Sequence, residues 1–381
     1  MRLGFAGFVR LSREEPFRIF FPLGLIFGAT GVALWPLFFL GAISFYPATA
    51  HARLMIEGFV ACFVFGFLGT AGPRVMSVPH FRGSEVLRLA LLVSAAVVAH
   101  LTGRHIQADG LFATALLLFV VSLATRFRRR EDSPPPNFAL VGVGLVNGMV
   151  GSGLMFFCAA TSSHPDLYRL GASFLHIGFP LLPLLGVGPF FLRRLLDLPT
   201  EDQETRRASG VAFAITVALL IDGSFVVEVF AWNAGVMWFR CAVVVAYLLF
   251  ALPWRSSNLL AGALRMSFAA VAAGFGLMAL LPAQRIAALH VLLVAGVSVA
   301  ILAVATRVII GHSGNLALVQ RRRGWLIAAF IFIILGMISR YVAGFGPSRD
   351  AHLHWGAIVW LVGVAIWAVI VLPHVTTAGD D

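Results

Sequence analysis

HARLMIEGFVACFVFGFLGTAGPRV, residues 51–75, is the stretch that decides how the rest of the chain is interpreted. It is apolar and long enough to cross a bilayer, which takes about 20 helical residues. A histidine stands at its start, and Arg53 and Glu57 follow within the first turns. Ionisable side chains at such depth are costly to bury in lipid and commonly mark a functional site. The stretch therefore predicts a transmembrane helix that carries a polar site near one end.

The composition extends this interpretation to the whole chain. Hydrophobic residues make up 60% of the 381 residues and charged residues only 12%, whereas soluble domains carry about 25% charged residues. The net charge of +11 comes from arginines that lie between apolar runs, so nucleic-acid binding is not expected. The three cysteines are isolated within apolar stretches and lack the spacing of a disulfide framework or metal motif. We predict an all-α polytopic protein whose main partner is the lipid bilayer.

Apolar segments of membrane length recur twelve times and predict one integral membrane domain over residues 1–381. Charged linkers are expected at 126–137 and 193–209, with a tight turn at Asn233. The predicted spans, in order, cover residues 17–45, 51–72, 85–102, 108–126, 137–160, 168–191, 210–232, 234–252, 259–281, 286–311, 325–346 and 353–373.

The arginines between the predicted spans indicate the orientation. If the N-terminus is cytoplasmic, most of them fall on the cytoplasmic side, including the runs 126–130 and 321–323. Such a bias is the usual pattern in membrane proteins. An even number of spans then places both termini in the cytoplasm.

Most of the eleven histidines fall on the outer side in this orientation. Those in loops are expected to be solvated. His51, His176, His290 and His354 stand inside or at the mouth of the second, sixth, tenth and twelfth spans. Neutral imidazole is a common ligand of metals and haem, although each ring could instead bond a neighbouring carbonyl. We predict an outer haem or metal site with His51 and His290 as ligands and His176 or His354 as alternatives.

The second, sixth and tenth spans are four spans apart, which suggests a threefold pseudo-repeat with units 17–126, 137–252 and 259–373. Twelve helices in three arcs resemble the catalytic subunit of haem–copper oxidases. That family carries a His-x-His pair on its tenth helix and two adjacent histidines on its seventh. Here the seventh span offers Asp222 and Glu228. They are candidates for a polar route, and an oxygen-reducing binuclear centre is not expected.

The longer motifs of the chain are FRIFFPLG (17–24), HARLMIEGF (51–59), GFLGTAGPRV (66–75), LHVLLVAGVSVAILAVATRVIIGHSG (289–314) and RYVAGF (340–345). Together they resemble the NnrS family. The resemblance implies a twelve-span protein of the bacterial inner membrane that contains haem, expected to be b-type, and copper, and that acts in nitric oxide stress. His51 matches the start of the family's His-x-His-Glu motif, but Arg53 and Leu54 stand where its second histidine and its glutamate would be. One metal-ligand position is therefore lost, and copper is the less supported cofactor.

Arg53 and Glu57 are spaced i,i+4, so we expect them to pair, which would lower the cost of their burial. The alternative is that Arg53 meets a haem propionate. Met55 could supply a soft thioether ligand, although most membrane methionines serve packing.

At the other end of the tenth span, His312 stands 22 residues after His290, roughly 33 Å along a continuous helix. The two histidines therefore cannot share a metal. Arg307 and His312 are candidates for binding an inner propionate, a headgroup or a partner, and a simple helix-end cap explains them equally well.

Three classes of function are compatible with these features, and catalysis is left open. The first is a haem-containing membrane protein acting in nitric oxide tolerance. The second is a secondary transporter, for which Pro180 and Pro183 in the sixth span would supply a broken helix. The third is a membrane assembly factor without a cofactor. The sequence has no motif of a serine hydrolase, a P-loop or a zinc protease.

Overall fold

The computed structural model describes residues 4–198, 207–231, 234–253 and 258–379, and this part of the chain is all-α without a β-strand. The all-α fold class expected from the composition is thereby confirmed. The turn predicted at Asn233 and the middle of the 193–209 linker lie outside the described residues.

The described residues form fourteen helices. In chain order they are α1 Phe5–Glu14, α2 Phe17–Phe39, α3 Ala48–Val75, α4 Gly83–Leu101, α5 His105–Arg128, α6 Phe138–Thr161, α7 Pro165–Leu195, α8 Arg207–Phe230, α9 Ala234–Ala251, α10 Leu259–Leu280, α11 Pro282–His312, α12 Leu318–Arg321, α13 Arg323–Val342 and α14 Arg349–Thr376.

Eleven helices of the described chain are long and apolar enough to cross a membrane. A shorter apolar helix, Gly235–Ala251, stands where the eighth span was predicted. The multi-pass membrane architecture is therefore confirmed. Pro180 and Pro183 do not break the sixth span, because α7 runs without interruption from Pro165 to Leu195. The prediction that these two prolines break the helix, as in many transporters, is therefore wrong.

Glycines let neighbouring helices approach closely, as is common in membranes. A Cβ added to Gly336 of α13 would lie 2.8 Å from the carbonyl oxygen of Gly356 in α14. A Cβ added to Gly151 of α6 would lie 2.7 Å from the carbonyl oxygen of Gly171 in α7. At these contacts any side chain would push the paired helices apart.

The chain divides into two compact units. The first unit contains residues 1–111, 118–133 and 301–381, and the second contains residues 112–117 and 134–300. The first unit is therefore assembled from both ends of the sequence. The predicted threefold repeat of four spans stays a prediction.

Three helices contain a π-helical segment, in which the backbone bonds reach one residue further than in an α-helix. The segments are Leu54–Val60 in α3, Phe174–Gly178 in α7 and Val291–Ser298 in α11. These are the predicted second, sixth and tenth spans. Such segments are rare and occur frequently at functional sites. Here they lie beside or around three of the predicted histidine ligands.

Candidate functional site

The cluster that we call the Arg53 network joins α3, α4 and α5 within the first unit. Arg53 donates from Nη1 to Oε1 of Glu57 at 2.9 Å and from Nη2 to Oδ2 of Asp109 at 3.0 Å. The predicted pairing of Arg53 with Glu57 is confirmed, and Asp109 joins the pair. Arg53 is 2% exposed and both carboxylates are 1% exposed, so these charges are balanced by one another rather than by water.

Two histidines extend the Arg53 network. Nε2 of His100 lies 3.0 Å from Oε2 of Glu57 and 3.8 Å from Oδ1 of Asp109. A carboxylate oxygen only accepts, so His100 donates to Glu57. On its other side, Nδ1 of His100 lies 3.1 Å from Nδ1 of His105, which is half-buried at the start of α5. The network thus reaches from a partly accessible imidazole to fully buried carboxylates.

The charges of the Arg53 network do not cancel when His100 is neutral, because two carboxylates face one guanidinium. Oδ1 of Asp109 is buried and has no hydrogen-bond partner among the described residues. A buried polar atom without a partner is uncommon and calls for an explanation. One further positive charge beside Asp109 would balance the charges of the network.

Three members of the Arg53 network, His100, His105 and Asp109, were not predicted from the sequence as site residues. His105 falls in a predicted loop, where histidines were expected to be solvated, whereas His100 stands inside the predicted span 85–102 and is 1% exposed. One signal was available, since Asp109 is an acidic residue within an otherwise apolar span. The pairing itself was not predictable, because Asp109 lies 56 residues from Arg53.

His51 is half-buried near the start of α3. Its Nδ1 lies 2.9 Å from the carbonyl oxygen of Gly31 in α2. A carbonyl only accepts, so Nδ1 carries the hydrogen and a neutral ring has its lone pair on Nε2. Histidines that ligate metals commonly hold their second nitrogen in this way. His51 therefore has the tautomer that a ligand through Nε2 requires.

His290 has the same arrangement in the second unit. Its Nδ1 lies 2.7 Å from the carbonyl oxygen of Ile286, one turn earlier in α11, and its ring is half-buried. His176, also in the second unit, is half-buried within the π-helical segment of α7. His290 matches His51 in tautomer, and all three histidines stand at a π-helical segment.

The fourth predicted histidine, His354, lies in the first unit with His51. The ring centroid of His354 is 6.0 Å from that of Phe39, and the ring centroid of His51 is 6.0 Å from that of Trp35. Trp35 and Phe39 stack on each other at 6.2 Å. The structure thus brings His51 and His354 to one aromatic pair. Sδ of Met55 would lie 3.5 Å from a Cβ added to Gly31, which favours the packing role for Met55.

The C-terminal end of α11 belongs to a second cluster, which we call the Glu15 network. Oε1 of Glu15 accepts from Nδ1 of His312 at 2.6 Å and from Nη2 of Arg74 at 2.8 Å, and Oε2 accepts from Nε of Arg18 at 2.6 Å. Burial alone would raise the pKa of Glu15, but His312, Arg74 and Arg18 lower it to about 2. Arg307, the other candidate predicted at this end of α11, is half-buried and lies against Gly311 of its own helix.

The acidic candidates of the seventh span lie in the second unit. Asp222 accepts from Nδ2 of Asn147 at 2.7 Å. Glu228 accepts from Nη2 of Arg240 at 2.6 Å and also pairs with Arg285. Glu228 is therefore part of a buried ionic cluster, and Asp222 is held by a separate amide contact.

Comparison with protein-family models matches residues 12–378 to the family described as NnrS protein. A search of curated proteins finds no match. The family match covers nearly the whole chain, including the Arg53 network, the Glu15 network and the four candidate histidines.

Proposed function

The chain belongs to the NnrS family, and from this membership we propose that it is a haem-containing protein of the bacterial inner membrane that acts in nitric oxide tolerance. His51 of the first unit and His290 of the second unit are each proposed as an iron ligand near the outer side. The observation that carries this assignment is their shared tautomer, since both bond a backbone carbonyl through Nδ1. The π-helical segments beside both residues add support, because such segments frequently occur at functional sites.

The residues of the first unit fit a haem in two ways. The carbonyl of Gly31 fixes the ring of His51 with its lone pair on Nε2, the atom that would meet iron. The stacked Trp35 and Phe39 beside it offer a flat apolar surface for a porphyrin. Haem, when bound, would supply either nitric oxide binding or electron transfer. His354, at the same aromatic pair, is the alternative ligand in this unit.

The copper implied by the family resemblance does not fit the motif at the start of α3. Arg53 and Leu54 stand at the second histidine and glutamate positions, and neither side chain offers a lone pair to a metal. The guanidinium of Arg53 is also bound to Glu57 and Asp109. Copper at this motif is therefore left out of the proposal.

The test is the haem content of ligand variants. We expect His51→Ala and His290→Ala each to lower the haem-to-protein ratio by more than half, because each removes an imidazole proposed to bind iron. His164→Asn is the matched control, since His164 lies at the turn between α6 and α7 with φ +59°, which asparagine tolerates. The measurement is a pyridine haemochrome assay on protein purified in detergent. Wild-type haem content in both alanine variants would contradict the ligand assignment.

The role in nitric oxide tolerance needs a second measurement. We expect the Soret band of the reduced wild-type protein to shift on addition of nitric oxide. We also expect cells that lack the gene to grow more slowly under nitric oxide, with rescue by the wild-type gene and not by the His51→Ala gene. Equal growth of all strains would argue against this role.

A secondary transporter is the second candidate function. It is supported by the buried ionic clusters of both units, because intramembrane charges often line substrate or ion pathways. Wild-type protein that lacks haem but drives uptake of a labelled solute into proteoliposomes would favour this candidate. Protein with neither property would point to a cofactor-free assembly factor.

A further inference from the structure

Three donor atoms of the Arg53 network converge on one point. A carboxylate oxygen of Glu57, a ring nitrogen of His100 and a carboxylate oxygen of Asp109 all lie within 4.8 Å of one another. Each residue comes from a different helix, and each is 1% exposed. From this convergence we infer that Glu57, His100 and Asp109 form a binding site for one divalent transition-metal ion of the zinc class.

The distances suit such an ion with little movement. Tetrahedral zinc with nitrogen and oxygen ligands at about 2.0–2.2 Å keeps those ligand atoms roughly 3.3–3.6 Å apart. The observed distances from Nε2 of His100 are 3.0 Å to Glu57 and 3.8 Å to Asp109. They lie on either side of the ideal value. The third distance, between the carboxylate oxygens of Glu57 and Asp109, is at most 4.8 Å, so these two side chains would move together to complete the geometry.

The charges and hydrogen bonds also favour a cation at this point. Arg53 occupies the far oxygens of both carboxylates, Oε1 of Glu57 and Oδ2 of Asp109, which orients their near oxygens towards His100. The near oxygen of Asp109 has no hydrogen-bond partner among the described residues. A bound cation would satisfy this atom and would face both carboxylates. The site is therefore built around an atom that the protein leaves unsatisfied.

The second nitrogen of His100 completes the arrangement. Nδ1 of His100 lies 3.1 Å from Nδ1 of His105. With a metal on Nε2, the hydrogen of His100 is on Nδ1 and is donated to His105. A metal-bound histidine almost always donates its other ring nitrogen to a neighbouring acceptor. His105 would thus be a positioning residue, and its partly accessible ring marks the side from which an ion arrives.

The donor set selects the class of ion. Calcium takes six to eight oxygen ligands and magnesium prefers an octahedron of oxygens, whereas this site offers one imidazole and two carboxylates. Imidazole suits zinc and other late first-row metals, and zinc accepts four mixed nitrogen and oxygen ligands without a geometric preference of its own. Zinc is therefore the probe of choice, with water as the fourth ligand.

The experiment measures zinc binding to the full chain in detergent after treatment with a chelator. Wild type is expected to retain one zinc ion per chain on equilibrium dialysis against zinc. Asp109→Asn, which keeps the size of the side chain and an oxygen for Arg53, is expected to weaken binding by at least about tenfold. The control is Asp222→Asn in the second unit, which should bind zinc as wild type does. No saturable zinc in wild type, or equal affinity in Asp109→Asn, would overturn the inference.

Zinc K-edge X-ray absorption on the wild type tests the ligands without relying on any variant. Nitrogen and oxygen neighbours at about 2.0–2.2 Å with imidazole scattering support the site, whereas sulfur at about 2.3 Å would assign the zinc to a cysteine and reject it. Haem is assayed in the same samples. If His51→Ala binds zinc as wild type does but contains less haem, the zinc site is distinct from the proposed haem site. If the wild type binds zinc but contains no haem, only the proposed function is rejected.

Discussion

The Arg53 network and the Glu15 network are built from the same side-chain types in the same unit, and their charges balance in opposite ways. In the Glu15 network, one carboxylate accepts from two arginines and a histidine. In the Arg53 network, two carboxylates share one arginine, and an oxygen of Asp109 is left without a partner among the described residues. A saturated acid is suited to holding helices together. An acid with a buried oxygen that lacks a hydrogen-bond partner is suited to binding a further cation.

The largest effect is expected from Arg53→Met, which would leave two buried carboxylates facing each other. Removing one partner of a buried ion pair costs about 3–5 kcal/mol, and we expect a loss of that order in the free energy of unfolding, measured by denaturant titration in detergent. Arg88→Met is the control, because Arg88 is exposed and bonds the carbonyl of Ser84 in its own helix. Equal stability of the two variants would show that Arg53 does not balance the acids.

An intermediate effect on stability is expected when the pH is lowered until Glu15 is protonated. The pKa of Glu15 is lowered from 4.5 to about 2, so its ionised form stabilises the fold above pH 4.5, and this stability is lost as the pH falls towards 2. Wild type should therefore be more stable than Glu15→Gln at pH 6, and the difference should shrink as the pH falls. Melting temperatures across this pH range measure it. A difference that is constant with pH would contradict the assignment.

The smallest effect is expected from Arg74→Met. The Arg74 side chain is 42% exposed, and exposed ion pairs contribute about 0–1 kcal/mol. Arg18 and His312 would still neutralise Glu15. We expect a loss below about 1 kcal/mol in the same denaturant titration. A loss as large as that of Arg53→Met would mean that the Glu15 network is not saturated.

The sequence was enough to predict the membrane fold and the local part of the site. Hydropathy alone placed a span at 51–72, and the helix observed is Ala48–Val75. The i,i+4 spacing of Arg53 and Glu57 predicted their ion pair because helix geometry brings such residues together. Both the span and the ion pair follow from the local spacing of residues along the sequence.

The rest of the site depends on how helices pack, which local spacing does not encode. His100 meets Glu57 across 43 residues and Asp109 meets Arg53 across 56. The π-helical segments likewise were not predicted from the sequence, although two of them contain Glu57 and His176. Pro180 and Pro183 suggested a break, yet α7 continues through both of them. Such features arise from tertiary contacts.

The guanidinium of Arg18 has a consequence for the biogenesis of the protein. It donates to the backbone carbonyls of Val375 and Thr377, which are synthesised 357 and 359 residues after Arg18. Glu15, three residues earlier, is the partner that emerges together with it. Arg18 therefore has a counter-ion as soon as it is made and keeps it in the folded protein, whereas its two carbonyl contacts form only after residues 375 and 377 have followed.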